Sequence, residues 1–336
     1  MATIEKYYWT ANEIYRLFKI NERFKSQRTL FYAEEKGTIP KADRIARGSV
    51  MVRQWRLDQL PEIGKQFGFL STNQKKHVIT IYAPKGGVLK TNFSYNFARM
   101  LALNGISVII IGLDSAQESI TTCALPSKKA ESLEDIEEEI PGLYHYFVKK
   151  YPIEQIIRKT SLPTLDIIPE NPELTRLEIE LRAMRRREYV FSEQLISNLP
   201  YDVILFDNGS GWNGLVENSL VAANSIVCPM GCSIEAYRAV NKNLSMLFDF
   251  ESAMKIQWEH FIQITTLLEN TGMSDKIYKS YISEYGENVI TKAIRHAVIG
   301  QEASAYHQSV IEYDANSQLA QDYYNVVETI WSRLNN

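Results

Sequence analysis

Val78-Ile79-Thr80-Ile81-Tyr82, two further residues, then Lys85-Gly86-Gly87-Val88-Leu89-Lys90-Thr91: the reading of this stretch decides the fold. A short apolar run bounded by turn residues predicts a buried strand, and Thr91 to Leu103 predicts an amphipathic helix closed by Asn104-Gly105. A strand that passes through small residues into a helix N-terminus is the setting of a phosphate-binding loop. Small residues let backbone N–H groups turn inward on phosphate oxygens, and the helix end adds its positive dipole. In such a loop Lys90 neutralises β/γ-phosphate charge and the Thr91 hydroxyl ligates Mg²⁺. The predicted nucleotide site therefore comprises Lys85, Gly86, Gly87, Val88, Leu89, Lys90, Thr91 and Asn92. Leu89 stands where an ordinary phosphate loop has glycine before its lysine.

Working outward, Val108-Ile109-Ile110-Ile111 predicts a second buried strand, followed by Asp114. Further strands are predicted at 165–169, 203–207, 225–229 and 261–265. Strands separated by helical stretches give a parallel twisted sheet flanked by helices on both faces, an α/β fold. Asp207 ends an apolar strand, as Asp114 follows one. The acidic stretch Glu131 to Glu139 reads as an exposed helix or connection.

Before the strand at Val78 the character differs. Thr10 with Glu13 three residues later reads as a capping box opening a helix. A second helix is predicted after Lys25-Ser26, ending at Gly37 before Pro40. Residues 44–56 suggest a small hairpin or wing, Leu57 to Pro61 opens another short helix, and 71–76 reads as a polar linker. The chain carries a net charge of −3, yet residues 1–76 hold 15 basic against 8 acidic residues, and the remainder 22 against 32. A basic block of +7 beside an acidic one of −10 suits contact of the first block with a polyanion. A solvated basic face fits the charge equally well.

The cysteines, Cys123, Cys228 and Cys232, form neither a disulfide framework nor a zinc-ligand pattern. No run approaches the roughly 18 apolar residues that span a bilayer, and the start lacks an apolar signal core, so the protein is read as cytoplasmic.

The early lysine is distinctive. Lys85-Gly86-Gly87-x-x-Lys90-Thr91 resembles the deviant Walker A loop of the ParA/MinD superfamily of ATPases, and the resemblance extends from residue 77 to about 330. It implies that Lys85 reaches the phosphates of a partner subunit in an ATP-sandwich homodimer, with Lys85, Lys90 and Asp114 catalytic and Thr91, Asp207 and Asp114 at the metal. The stretch Gly112-Leu113-Asp114-Ser115-Ala116-Gln117 resembles the switch I pattern Asp-x-Asp-Pro-Gln, with Gly112 in place of the first aspartate. Asn208-Gly209-Ser210-Gly211 resembles switch II loosely.

Residues Gln27 to Pro40 are similar to a MerR-type winged helix-turn-helix, which places the chain with the larger, SopA-like ParA proteins that tolerate a bulky residue at position 89. Domains are accordingly expected at 1–76, a small, mainly helical winged helix-turn-helix with linker, and at 77–336, the ATPase. The resemblance implies DNA contacts by Ser26, Gln27 and Arg28 on a recognition helix, by Arg44, Arg47 and Arg53 on a wing, and by Lys292 and Arg295 toward nucleoid DNA. It further implies a slow partition ATPase stimulated by a ParB-like partner, nucleoid-associated, with repression of its own operon. The C-terminal residues 328–334 lack the basic membrane-targeting helix of MinD, so no membrane partner is expected. A nucleotide-binding transcriptional regulator with little or no hydrolysis remains the alternative, which Gly112 and the altered switch II keep open.

Overall fold

A computed structural model describes residues 6–71, 75–125 and 140–336. Linker residues 72–74 and the acidic stretch 131–139 lie outside the described residues, as does the Arg47 side chain. The N-terminal stretch forms β1 (Tyr8–Thr10), α1 (Ala11–Leu17), α2 (Ile20–Arg23), α3 (Arg28–Glu35), β2 (Asp43–Arg47), β3 (Val50–Arg56) and α4 (Leu60–Phe67). The predicted capping box is present: Glu13 N–H donates to Thr10 Oγ1, and Thr10 N–H to the Glu13 carboxylate at 2.7 Å. β2 and β3 pair as an antiparallel hairpin turning at Gly48, and β1, which carries no sequence signal, completes a three-stranded sheet of order β1-β3-β2.

From His77 the chain builds a second sheet. Its elements are β4 (His77–Ile81), α5 (Lys90–Leu103), β5 (Val108–Leu113), α6 (Ser119–Ala124), α7 (Leu143–Phe147), α8 (Ile153–Ile156), β6 (Arg158–Lys159) and β7 (Leu165–Ile168). There follow α9 (Leu174–Ala183), α10 (Val190–Gln194), β8 (Val203–Asn208), α11 (Gly214–Ala222), β9 (Ser225–Gly231) and α12 (Ile234–Met254). The chain ends with β10 (His260–Thr266), α13 (Gly272–Tyr285), β11 (Val289–Ile290), α14 (Ile299–Ala305), α15 (Val310–Asp314) and α16 (Gln318–Leu334). The eight strands run in the order β11-β10-β9-β4-β8-β5-β7-β6, all parallel except β6 at the edge. Every residue of β4, β5, β7, β8 and β9 is buried, which is why these strands read as continuous apolar runs: helices cover both faces.

The strand order fixes where a site can form. From β4 the chain crosses over β8 to β5, whereas from β8 it turns the other way to β9. The loops leaving β4 and β8 therefore part, opening a crevice at their C-terminal ends.

The helix α5 departs from its predicted amphipathic character, because 12 of its 14 residues are buried. Its polar residues are satisfied internally. Asn96 Oδ1 accepts the Val310 N–H at 2.7 Å, and the Arg99 guanidinium makes two bonds to Glu312 at 2.6 and 2.7 Å. A buried pair of this kind, with both partners hydrogen-bonded, is costly to break on one side, by about 3–5 kcal/mol.

The N-terminal unit packs against this assembly through one continuous core. Trp9, Ile14, Leu17 and Phe18 belong to the same apolar cluster as Phe97, Tyr324 and Trp331. Tyr324 donates its hydroxyl to the Leu17 carbonyl at 2.7 Å, and Lys19 pairs with Glu328 at 3.1 Å. On α4, Gly64 is pressed against the C-terminal end of α5, where a Cβ would stand 1.8 Å from the Leu103 carbonyl oxygen. Gly64→Ala is expected to destabilise the protein by roughly 3 kcal/mol, since backbone atoms must move. Gly272→Ala, which meets only open space at the start of α13, should change stability by less than about 0.5 kcal/mol. Urea titrations of the two variants test the pair.

Candidate functional site

The loop between β4 and α5 is held from both sides. Val88 is buried against Ala83 and Ala236, and its carbonyl accepts the Thr266 hydroxyl at 3.0 Å. With those anchors in place the backbone turns left-handed at Gly87 (φ +73°) and again at Leu89 (φ +62°). The second is the position where glycine is usual; a leucine there costs about 1–2 kcal/mol, and the anchored flanks hold it. The chain then enters α5 at Lys90, whose side chain is only 8% exposed and donates to the Lys85 carbonyl at 3.4 Å. Burial lowers the Lys90 pKa, and the carboxylates of Asp207 and Asp114 oppose that fall.

Asp207 lies opposite, on β8, fully buried. Ser94 donates to its Oδ1 at 2.5 Å, while its Oδ2 has no hydrogen-bond partner among the described residues. Burial pushes its pKa up to about 6, with Asp114 adding to the rise; the Ser94 and Thr91 hydroxyls and the Lys90 charge work against it. A buried carboxylate oxygen without a donor, beside the Thr91 hydroxyl, is a donor set suited to a hard, oxygen-liganded divalent cation. Asp114 follows β5 at the same edge of the sheet; its Oδ1 accepts the Ala116 N–H at 3.0 Å.

A third carboxylate reaches this edge from β7. Glu170 is buried and accepts from the N–H groups of Asp114 (3.2 Å) and Ile120 (3.1 Å). Burial pushes its pKa up to about 8, and the nearby Asp207 and Asp114 charges add to the shift. Sequence reading did not single out Glu170 or Ser94. The signal for Glu170 was available, because it follows an apolar parallel strand just as Asp114 does. After β8, Asn208 is pinned: its Nδ2 donates to the Ile81 carbonyl at 3.0 Å and its Oδ1 accepts from Ser219 at 2.9 Å. Trp212, beyond the glycines, packs edge-on against Tyr82 and Phe250.

The other predicted residues divide. Lys85 and Thr91 are half-buried at the loop, and Gly86 and Gly87 are exposed there. The Asn92 side chain turns away from the loop: it donates to Gly300 and Ser304 and accepts the Tyr323 hydroxyl at 2.6 Å, so only its backbone faces the predicted site. Ser26 and Arg28 are exposed and Gln27 half-buried at the start of α3, and Arg44 is exposed on β2. Arg53 is committed internally: it bonds Glu34 at 2.7 Å and lies over the Phe31 ring. Lys292 is exposed, whereas Arg295 is held by Asp322 at 2.6 and 2.9 Å and by Gln318. No helix among the described residues is long and apolar enough to cross a membrane.

Residues 76–260 match the AAA domain family AAA_31. The chain is 28% identical over 256 residues to the cell division protein PomZ of Myxococcus xanthus, covering 74% of this chain and 76% of that protein. It is 25% identical over 260 residues to the chromosome partitioning protein ParA of Caulobacter vibrioides, covering 76% and 94%. Its fold is similar to that of a Borrelia burgdorferi plasmid partition protein bound to AMPPNP, with a TM-score of 0.62 at 18% identity, covering 77% of this chain and all of that one.

The electrostatics of Asp207 give a pH signature. A folded-state pKa of about 6 against an ordinary 3.8 means that the folded protein binds the extra proton between those values. Stability is therefore fully present below the lower pKa and is lost as pH rises from about 4 to about 6, by on the order of 3 kcal/mol. Asp207→Asn removes that loss. Urea melts in the absence of ligand should show the variant gaining on the parent protein across this window; an unchanged difference would contradict the assignment.

Proposed function

This chain belongs to the AAA domain family AAA_31, and on that premise we propose that it is a ParA-type partition ATPase. The observation that carries the reading is the meeting of Lys90, Thr91 and Asp207 at the β4/β8 crevice, with Asp114 at its edge. The partition-related names of its relatives support the same class.

In this reading the amides of residues 86–91 and the Lys90 ammonium hold the phosphates of ATP. Thr91 and the free Oδ2 of Asp207 would hold Mg²⁺, directly and through water, and the ion supplies charge neutralisation on the phosphates when bound. Lys90 stabilises charge on the transferring group, and Asp114 orients the attacking water. Lys85, half-buried at the loop, is available to the phosphates of a second copy, which couples ATP binding to dimerisation.

The N-terminal unit would act as a winged helix-turn-helix of the larger, SopA-like type, reading an operator with Ser26, Gln27 and Arg28 at the start of α3. Arg44 and Arg47 lie on the hairpin that would contact phosphates as a wing. Arg53 would position that hairpin through Glu34, and Lys292 would contribute to non-specific nucleoid binding. A ParB-like protein is the partner that stimulates hydrolysis and releases the dimer from DNA, and the protein represses its own operon. Gly112 and the altered switch segments are the observations that favour a regulator without appreciable hydrolysis.

Steady-state turnover with Mg-ATP, DNA and the cognate ParB-like protein separates the two. The partition reading expects partner-stimulated turnover that Lys90→Ala lowers by at least about 100-fold. Stimulation that is absent, or that survives Lys90→Ala, defeats it. Lys85→Gln should keep nucleotide affinity within about threefold while losing ATP-dependent dimers, a difference of less than about 0.7 kcal/mol in binding. Light scattering with and without ATP reads the dimer.

A further inference from the structure

The turn that carries Asp114 is closed by a residue from a different strand. Glu170, at the end of β7, accepts the Asp114 N–H at 3.2 Å through one oxygen and the Ile120 and Thr121 N–H groups at 3.1 and 3.4 Å through the other. Its own N–H donates to the Thr121 hydroxyl at 2.8 Å. One side chain thus joins both ends of residues 114–121, in a residue only 2% exposed whose carboxyl oxygens accept from donors of a single turn. Such multiply bonded buried groups fix geometry, because losing them leaves several donors without partners.

The space Glu170 fills is also specific. A Cβ at Gly112 would stand 2.3 Å from Glu170 Cγ, 2.7 Å from Ile120 Cγ2 and 2.8 Å from Glu170 Cδ, so a side chain at 112 overlaps the glutamate at 170 and in addition requires Ile120 to shift. Position 112 is where the Asp-x-Asp-Pro-Gln pattern carries its first aspartate.

We propose that Glu170 is a positioning residue for Asp114: from just beyond β7 it supplies the carboxyl group that position 112 lacks, and so holds the turn from which Asp114 addresses the crevice. The assignment rests on the hydrolytic reading above for its consequence, while the turn-closing role is measurable without hydrolysis. Among the described residues no hydrogen bond joins Glu170 to residues 85–91; it acts through the Asp114 backbone.

The test uses the full chain with Glu170→Ser, Gly112→Asp and the double variant, and two readouts. The first is amide hydrogen exchange at Asp114, Ile120 and Thr121 in the absence of ligand. Glu170→Ser should speed exchange at these amides by at least about tenfold relative to amides of β9. The second is Mg-ATP turnover with DNA and the ParB-like partner: kcat should fall by about tenfold or more with KM within about threefold, the signature of a lost transition-state arrangement. Gly112→Asp alone should be destabilised by the overlap with Glu170. The double variant should recover at least about fivefold of the kcat lost in Glu170→Ser, and slow Asp114 exchange again, because the space is then refilled by a carboxylate. Unchanged exchange in Glu170→Ser overturns the proposal. So does a rise in KM at constant kcat. If the parent protein shows no stimulated turnover, the partition reading fails, and the exchange measurements still decide whether Glu170 closes the turn.

Discussion

The burial of α5 on nearly every side is the constraint from which the remaining structure follows. A helix so enclosed must satisfy each polar side chain within the protein, and its partners come from distant parts of the sequence: Asp207 for Ser94, the Val310 amide for Asn96, Glu312 for Arg99, the Leu70 amide for Asn104. These bonds locate α5 along its axis as well as around it. Since Lys90 and Thr91 form its first turn, the same bonds fix the β4–α5 loop relative to β8. The C-terminal segment from α14 to α16 thereby helps place the site by wedging the helix that carries it.

The loop itself shows how a sequence departure is accommodated. Leu89 adopts a backbone conformation that disfavours side chains, and the strain is sustained because Val88 is anchored by Thr266 on one side and α5 begins on the other. Strain of this size persists only where the surroundings over-determine the backbone. The position of Lys90 is therefore set by packing around the loop, without the freedom a glycine would give.

Legibility in the sequence followed the length and burial of each element. The strands β4, β5, β7, β8, β9 and β10 announced themselves as apolar runs, because a strand covered on both faces has no polar alternation to confuse it. β1, β6 and β11 did not, since three- and two-residue strands paired at an edge carry no run to detect. The amphipathic reading of α5 failed for a related reason: Ser94, Asn96 and Arg99 look solvated until their partners, more than a hundred residues away, are known. The convergence of Lys90, Thr91 and Asp207 at one edge of the sheet was readable because spacing and strand ends locate them. Glu170 offered the same strand-end signal as Asp114, but its packing against Gly112 on a neighbouring strand appears only in the fold. Arg53 and Arg295 illustrate the converse, with charges that look unpartnered in sequence but pair with Glu34 and Asp322 in the fold.

The apolar cluster that joins Leu17 and Phe18 to Tyr324 and Trp331 bears on how such a chain can be inherited. The first seventy residues are not a cassette: exchanging them by recombination would orphan the Tyr324 hydroxyl, the Glu328 carboxylate and the close seat that Gly64 makes for α5. Substitutions on the outward faces of α3 and the β2–β3 hairpin would leave that shared inner face intact. The two sheets of this chain share one core.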